Sequence, residues 1–168
     1  MRLTAETDKL LDELVYSGTA LVLFLSVITF GLFPAHYVFR QTFILNEYLP
    51  PERRLPELLA GTLLVLVYLD VAVALLYTLH PAPVFFHVCV SMPLILIVLF
   101  QIWTWKVRSR VHELFEIQPR ESMWLFFLPT LLFGYAYFNY RVNGLWKLSQ
   151  QHSESPAVAS EDAGGLST

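Results

Sequence analysis

Residues 57–79 read ELLAGTLLVLVYLDVAVALLYTL. After the turn HPAP at 80–83 the chain resumes with VFFHVCVSMPLILIVLFQIWTW over 84–105. A hydrocarbon core about 30 Å thick takes about 20 apolar residues of helix, because a helix alone satisfies its backbone polar groups without water. Working outward, two further apolar stretches of that length lie at 15–38 and 122–141. The pattern predicts an all-α fold, an integral membrane four-helix bundle with spans at 15–38, 57–79, 84–105 and 122–141. A polar N-terminal tail is expected over 1–14, the four-span domain over 15–146 and a disordered C-terminal tail over 147–168.

Composition agrees, with 55% hydrophobic and 15% charged residues, against about 45–50% and about 25% in soluble domains. The acidic Glu6, Asp8, Asp12 and Glu13 ahead of the first run, and the length of that run, favour a retained helix over a cleaved signal peptide. A net charge of −3 argues against nucleic acid, and one cysteine, Cys89, argues against thiolate metal sites. His112-Glu113-Leu114-Phe115-Glu116 holds one of the two histidines a zinc-protease helix requires. No catalytic residue, metal or cofactor is expected.

The loop after the first span carries Arg40, Arg53 and Arg54, and the loop after the third carries Lys106, Arg108, Arg110 and Arg120. Basic residues are retained in the cytoplasm, so both long loops are expected inside and both termini outside. Val107, Val111, Leu114 and Phe115 share a helical face, and Phe43, Ile44 and Leu45 follow Arg40. These predict two amphipathic loop extensions lying on lipid headgroups, the first closed by Pro50-Pro51 and the second by Pro119. Tyr37-Val38-Phe39-Arg40 and Trp103-Thr104-Trp105-Lys106 echo each other as aromatic, any, aromatic, basic. Either a duplicated helical hairpin or an interfacial aromatic belt accounts for that. The interface and partner candidates are Tyr37, Arg40, Trp103, Trp105, Lys106, Asn139 and Asn143.

Asp70 stands near the middle of the second span, where a carboxylate costs roughly 2.5–3.5 kcal/mol on insertion scales. It is expected to face protein, with Tyr77 on its own face and Ser26, Ser91 and Tyr135 at similar depth on other spans. Two roles stay open: a proton relay, or hydrogen-bonded glue between helices. Tyr135, Asn139 and Asn143, with Trp146 beyond, form a stripe suited either to helix packing or to a polar headgroup. His36, His80 and His87 read as boundary residues, and Pro93 and Pro129 as kinks.

Thr29-Phe30-Gly31-Leu32-Phe33, followed by His36-Tyr37, Arg40 and Asn46, resembles the Thr-x-Gly-Ile-Tyr-x-x-Tyr-Trp signature of a family of small bacterial multi-pass membrane proteins built on a domain of unknown function. Tyr140-Arg141-Val142-Asn143 is similar to the end of that family's last helix. Phe33 replaces the signature tyrosine and Pro34 is inserted. The resemblance implies a bacterial cytoplasmic (inner) membrane protein and no particular activity. A non-enzymatic accessory or scaffold subunit is expected, bound to membrane lipids and to a membrane protein partner or further copies of itself. The alternative is a proton-coupled transport or channel component centred on Asp70.

Overall fold

The computed structural model describes residues 5–15, 17–117 and 125–164, with most side chains described as far as Gln151. Every regular element among them is helical: α1 (Ala5–Leu14), α2 (Thr19–Ile28), α3 (Leu32–Tyr48), a 3-10 turn (Pro51–Arg53), α4 (Glu57–Leu79), α5 (Pro83–Leu114) and α6 (Phe127–Gly164). Three stretches are long and apolar enough to cross a membrane: Thr7–Ile28, Glu57–Leu79 and Pro83–Leu114. The first is a composite of α1, which ends at Leu14, and α2, which starts at Thr19.

The α4–α5 hairpin is the long axis of the molecule. Its helices run uninterrupted because neither sequence meets a turn residue that the helix cannot absorb. Pro93 sits inside α5, and Gly61 inside α4 has open space around it. Only His80, Pro81 and Ala82 separate the two helices. Beyond residue 105, α5 continues to Leu114 and stops in a Schellman cap. There Ile117 N–H reaches the His112 carbonyl (3.0 Å), Glu116 N–H reaches that of Glu113 (3.3 Å), and Glu116 sits at φ 48°. The helix thus ends ahead of Pro119, which lies outside the described residues.

The expected first span is not one helix. A second Schellman cap ends α2, with Gly31 N–H on the Ser26 carbonyl (3.2 Å) and Phe30 N–H on that of Val27 (3.3 Å). Phe30 and Gly31 both have positive φ, 50° and 88°. Thr29 Oγ1 then accepts from Phe33 N–H at 2.9 Å and caps the start of α3. The chain folds back on itself. Asn139 bonds both Thr19 Oγ1 (3.2 Å) and Tyr37 OH (3.2 Å), although a continuous helix would hold residues 19 and 37 about 27 Å apart.

The fourth expected span also folds back; its first residues, 122–124, lie outside the described set. Gly134, at φ 47° and ψ −123°, breaks α6 into two arms. Phe126 N–H lies 3.4 Å from Tyr137 OH, where a straight helix would place those residues about 16 Å apart. The first arm starts beside His112 and Arg108, the tip touches Thr104 and Gln101, and the second arm returns past Trp103. Pro129 sits in the first turn of α6, where its missing N–H costs nothing, so glycine and not proline makes the bend. The second arm continues helically to Gly164 where the composition predicts disorder from 147, with Ser149 buried. Residues 165–168 lie outside the described set.

Two long helices therefore carry two folded-back hairpins at one end. The core there contains Trp103, Phe115, Phe138, Leu45, Leu63 and Leu145. Val107, Val111 and Phe115 are wholly buried in it. That corrects the expectation that this face lies on headgroups: the hairpins cover it with protein.

Candidate functional site

At the hairpin end, polar side chains bind the segments to one another. Asn46, buried near the end of α3, accepts from Leu55 N–H (2.7 Å), donates to the Leu55 carbonyl (3.0 Å) and reaches Glu57 (3.2 Å). It thereby closes the α3–α4 connection. Trp103 Nε1 donates to Thr42 Oγ1 at 2.8 Å. Gln41 donates to the Leu14 carbonyl (2.8 Å) and Arg40 to that of Glu13 (2.7 Å). Asn139 and Asn143 both donate to the Ser17 carbonyl, at 3.1 and 3.0 Å, and Trp146 donates to Asp12 at 2.6 Å. The backbone groups exposed where α1 and α2 part are satisfied this way, as burial demands.

This seam borders a groove of about 590 Å³ lined by Ser17, Thr19, Arg141, Asn143, Trp146 and Lys147. Ser17 Oγ and Asn143 Oδ1 are buried there without a partner among the described residues. The Tyr135, Asn139 and Asn143 stripe therefore meets α3 and the α1–α2 connection, with Tyr135 against the rings of Tyr37 and Phe100.

Tyr37 and Trp103 are buried, so neither belongs to an interfacial belt. Trp105 is exposed, with the Arg108 guanidinium 5.3 Å from its ring centre, and Lys106 is exposed beside it. A closer echo than the expected one links Tyr37-Val38-Phe39-Arg40 to Phe138-Asn139-Tyr140-Arg141. Each follows a positive-φ glycine, Gly31 or Gly134. His36 shares a 2.9 Å hydrogen bond with Tyr68 of α4.

The expected partners of Asp70 are engaged elsewhere. Ser26 Oγ donates to Val22, Ser91 Oγ to Val88, and Tyr77 packs on Phe86. Asp70 lies one turn beyond Val67, where the tip of the α2–α3 hairpin ends. Among the described residues no hydrogen bond or ion pair reaches its carboxylate.

Beyond the apolar length of α5, His112 Nε2 accepts from Leu125 N–H at 3.0 Å. Burial, then the charges of Arg108 and Arg141, lower its pKa to about 4. The ring is neutral and keeps the lone pair that holds the entrance to α6. Glu113 pairs with Arg53 and Arg110, both at 3.2 Å. Among the described residues no cluster of His, Cys, Asp and Glu could hold a metal.

All nine described basic residues (Lys9, Arg40, Arg53, Arg54, Lys106, Arg108, Arg110, Arg141 and Lys147) sit at the hairpin end, away from the His80–Ala82 turn. α1, the α6 turns around Trp146 and both long connections meet there too, as the Asp12–Trp146, Arg53–Glu113 and His112–Leu125 contacts require. No family model, curated protein or solved structure matches the chain.

Proposed function

We propose that the chain is a small integral membrane scaffold or accessory subunit without catalytic chemistry. In this reading α4 and α5 cross the bilayer, and both hairpins dip into the leaflet on the side of the termini. The observation that carries it is the inverted distribution of polarity. Leu58, Leu79 and Leu94 are 83%, 72% and 62% exposed, while Gln41 and Asn139 are fully buried and hold segments together. Lipid, not water, suits that exterior, and the interior polar groups act as interhelical glue.

Positive charge collected at one end supports a cytoplasmic position for that end. The likeness around Thr29–Asn46 and Tyr140–Asn143 favours the cytoplasmic membrane of a bacterium. Purification in mild detergent is expected to bring down a membrane protein in fixed proportion. Recovery of this chain alone, as monomer or homo-oligomer, would count against the scaffold reading.

Asp70, unpaired among the described residues, favours one rival, a proton-conducting role. Asn matches Asp in size and hydrogen-bonding capacity but never ionises. Vesicles holding the wild type or Asp70→Asn are expected to show equal and negligible proton flux under an imposed pH gradient. Flux that Asp70→Asn abolishes would establish the rival.

A further inference from the structure

We infer that the protein is a wedge that couples to membrane curvature and favours the surface whose convex leaflet holds its hairpins; this rests on the membrane reading above. Around Trp103 the cross-section contains α3, α4, α5 and both arms of α6. The first hairpin ends with Gly31 beside Val67, the eleventh of the 23 residues of α4. The second ends lower, beside Gln101 and Thr104.

Past those tips α4 and α5 continue alone. No residue of α4 after Val67 is buried, and none of α5 before Leu96. The division falls near the middle of α4, and so near the middle of the bilayer it crosses. Between the two tips the first hairpin alone adds α2 and α3, and two segments about 10–12 Å across displace roughly 160–230 Å² more of one leaflet than of the other. Phe24, Val27, Ile28 and Phe30 on α2 and its tip are more than half exposed and apolar, as a hairpin immersed in acyl chains requires.

A body wider in one leaflet relieves packing stress where that leaflet is stretched, so it gathers there and, at high density, bends the membrane that way. A partner helix seated above the tips beside Asp70 would even out the two cross-sections and remove the effect.

The test uses the full chain in a Cys89→Ala background, with single cysteines at Ser109, Gln151 or Pro81, reconstituted in giant vesicles of neutral lipid. An impermeant thiol reagent reports topology, and narrow tethers pulled from the same vesicles report curvature preference. Ser109→Cys and Gln151→Cys should label together and Pro81→Cys from the opposite side. Molecules with their hairpins in the outer leaflet should be enriched in the tether relative to the parent membrane, and those of reverse orientation depleted. The intact labelling pattern with no orientation-dependent sorting overturns the wedge and leaves the topology standing. Labelling of Ser109→Cys and Gln151→Cys from opposite sides overturns the topology, and the wedge with it.

Discussion

Trp103→Ala is expected to destabilise the protein by about 3–5 kcal/mol, the largest loss at any single position considered. The indole is wholly buried, stands edge-on to Phe138 at 5.9 Å between centroids, and donates to Thr42 at 2.8 Å. Truncation empties the meeting point of α3, α5 and the returning arm of α6, and the surrounding backbones cannot close the space without moving both hairpins. Trp103→Phe separates packing from hydrogen bonding. It keeps most of the ring and leaves Thr42 with the bond its hydroxyl donates to Val38, so about 1 kcal/mol should be lost. Reversible unfolding in detergent measures both. Equal losses for the two variants would mean that the ring's bulk contributes little and that the packing described here is wrong.

Gly134→Ala should cost about 1–3 kcal/mol, through the backbone and not through space. A Cβ at this position would meet Thr104 Oγ1 at 3.5 Å, an ordinary contact, but φ 47° with ψ −123° is a conformation that side-chain-bearing residues rarely adopt. Gly61→Ala supplies the control. Gly61 is in the interior of α4 with nothing within 4 Å, so alanine should be neutral or stabilising by up to about 1 kcal/mol. Thermal melts of the two variants in one detergent give the comparison. If Gly134→Ala melts with the wild type, α6 does not turn at that residue, and its second arm is the straight continuation that hydropathy suggested.

The sequence showed α4 and α5 plainly and misled about the ends of the chain, for one physical reason. Hydropathy sums over a window and is blind to direction, so an apolar run that folds back at a glycine scores the same as one that goes straight through. The local signals were nonetheless present. Gly31 followed by Pro34 is helix-stop and helix-start grammar, and Pro129 likewise lies within the first turn of its helix. Reading Pro34 as an insertion and Pro129 as a kink missed that. Phe30 was harder to see, since a bulky side chain at positive φ is disfavoured and nothing in its identity announces one. Of the candidate site, the Tyr135, Asn139 and Asn143 stripe was legible as one helical face. Its partner, the Ser17 carbonyl, was not, because a backbone group carries no sequence signature. Asp70 was legible as anomalous, but that no described residue pairs with it required the fold: the tip of the nearest hairpin stops a turn short.

The shortness of the His80–Ala82 turn bears on how the chain enters a membrane at all. On the proposed topology these residues, with the helix ends beside them, are the only described part that must be carried to the far side, and no lysine or arginine goes with them. A basic side chain costs roughly 2.5–3.5 kcal/mol at the centre of a spanning helix. A four-span arrangement would send Arg2, Lys9, Arg141 and Lys147 across. On the proposed topology, biosynthesis reduces instead to the insertion of one helical hairpin whose leading edge is nearly uncharged, with the remaining segments settling from the side on which they were made.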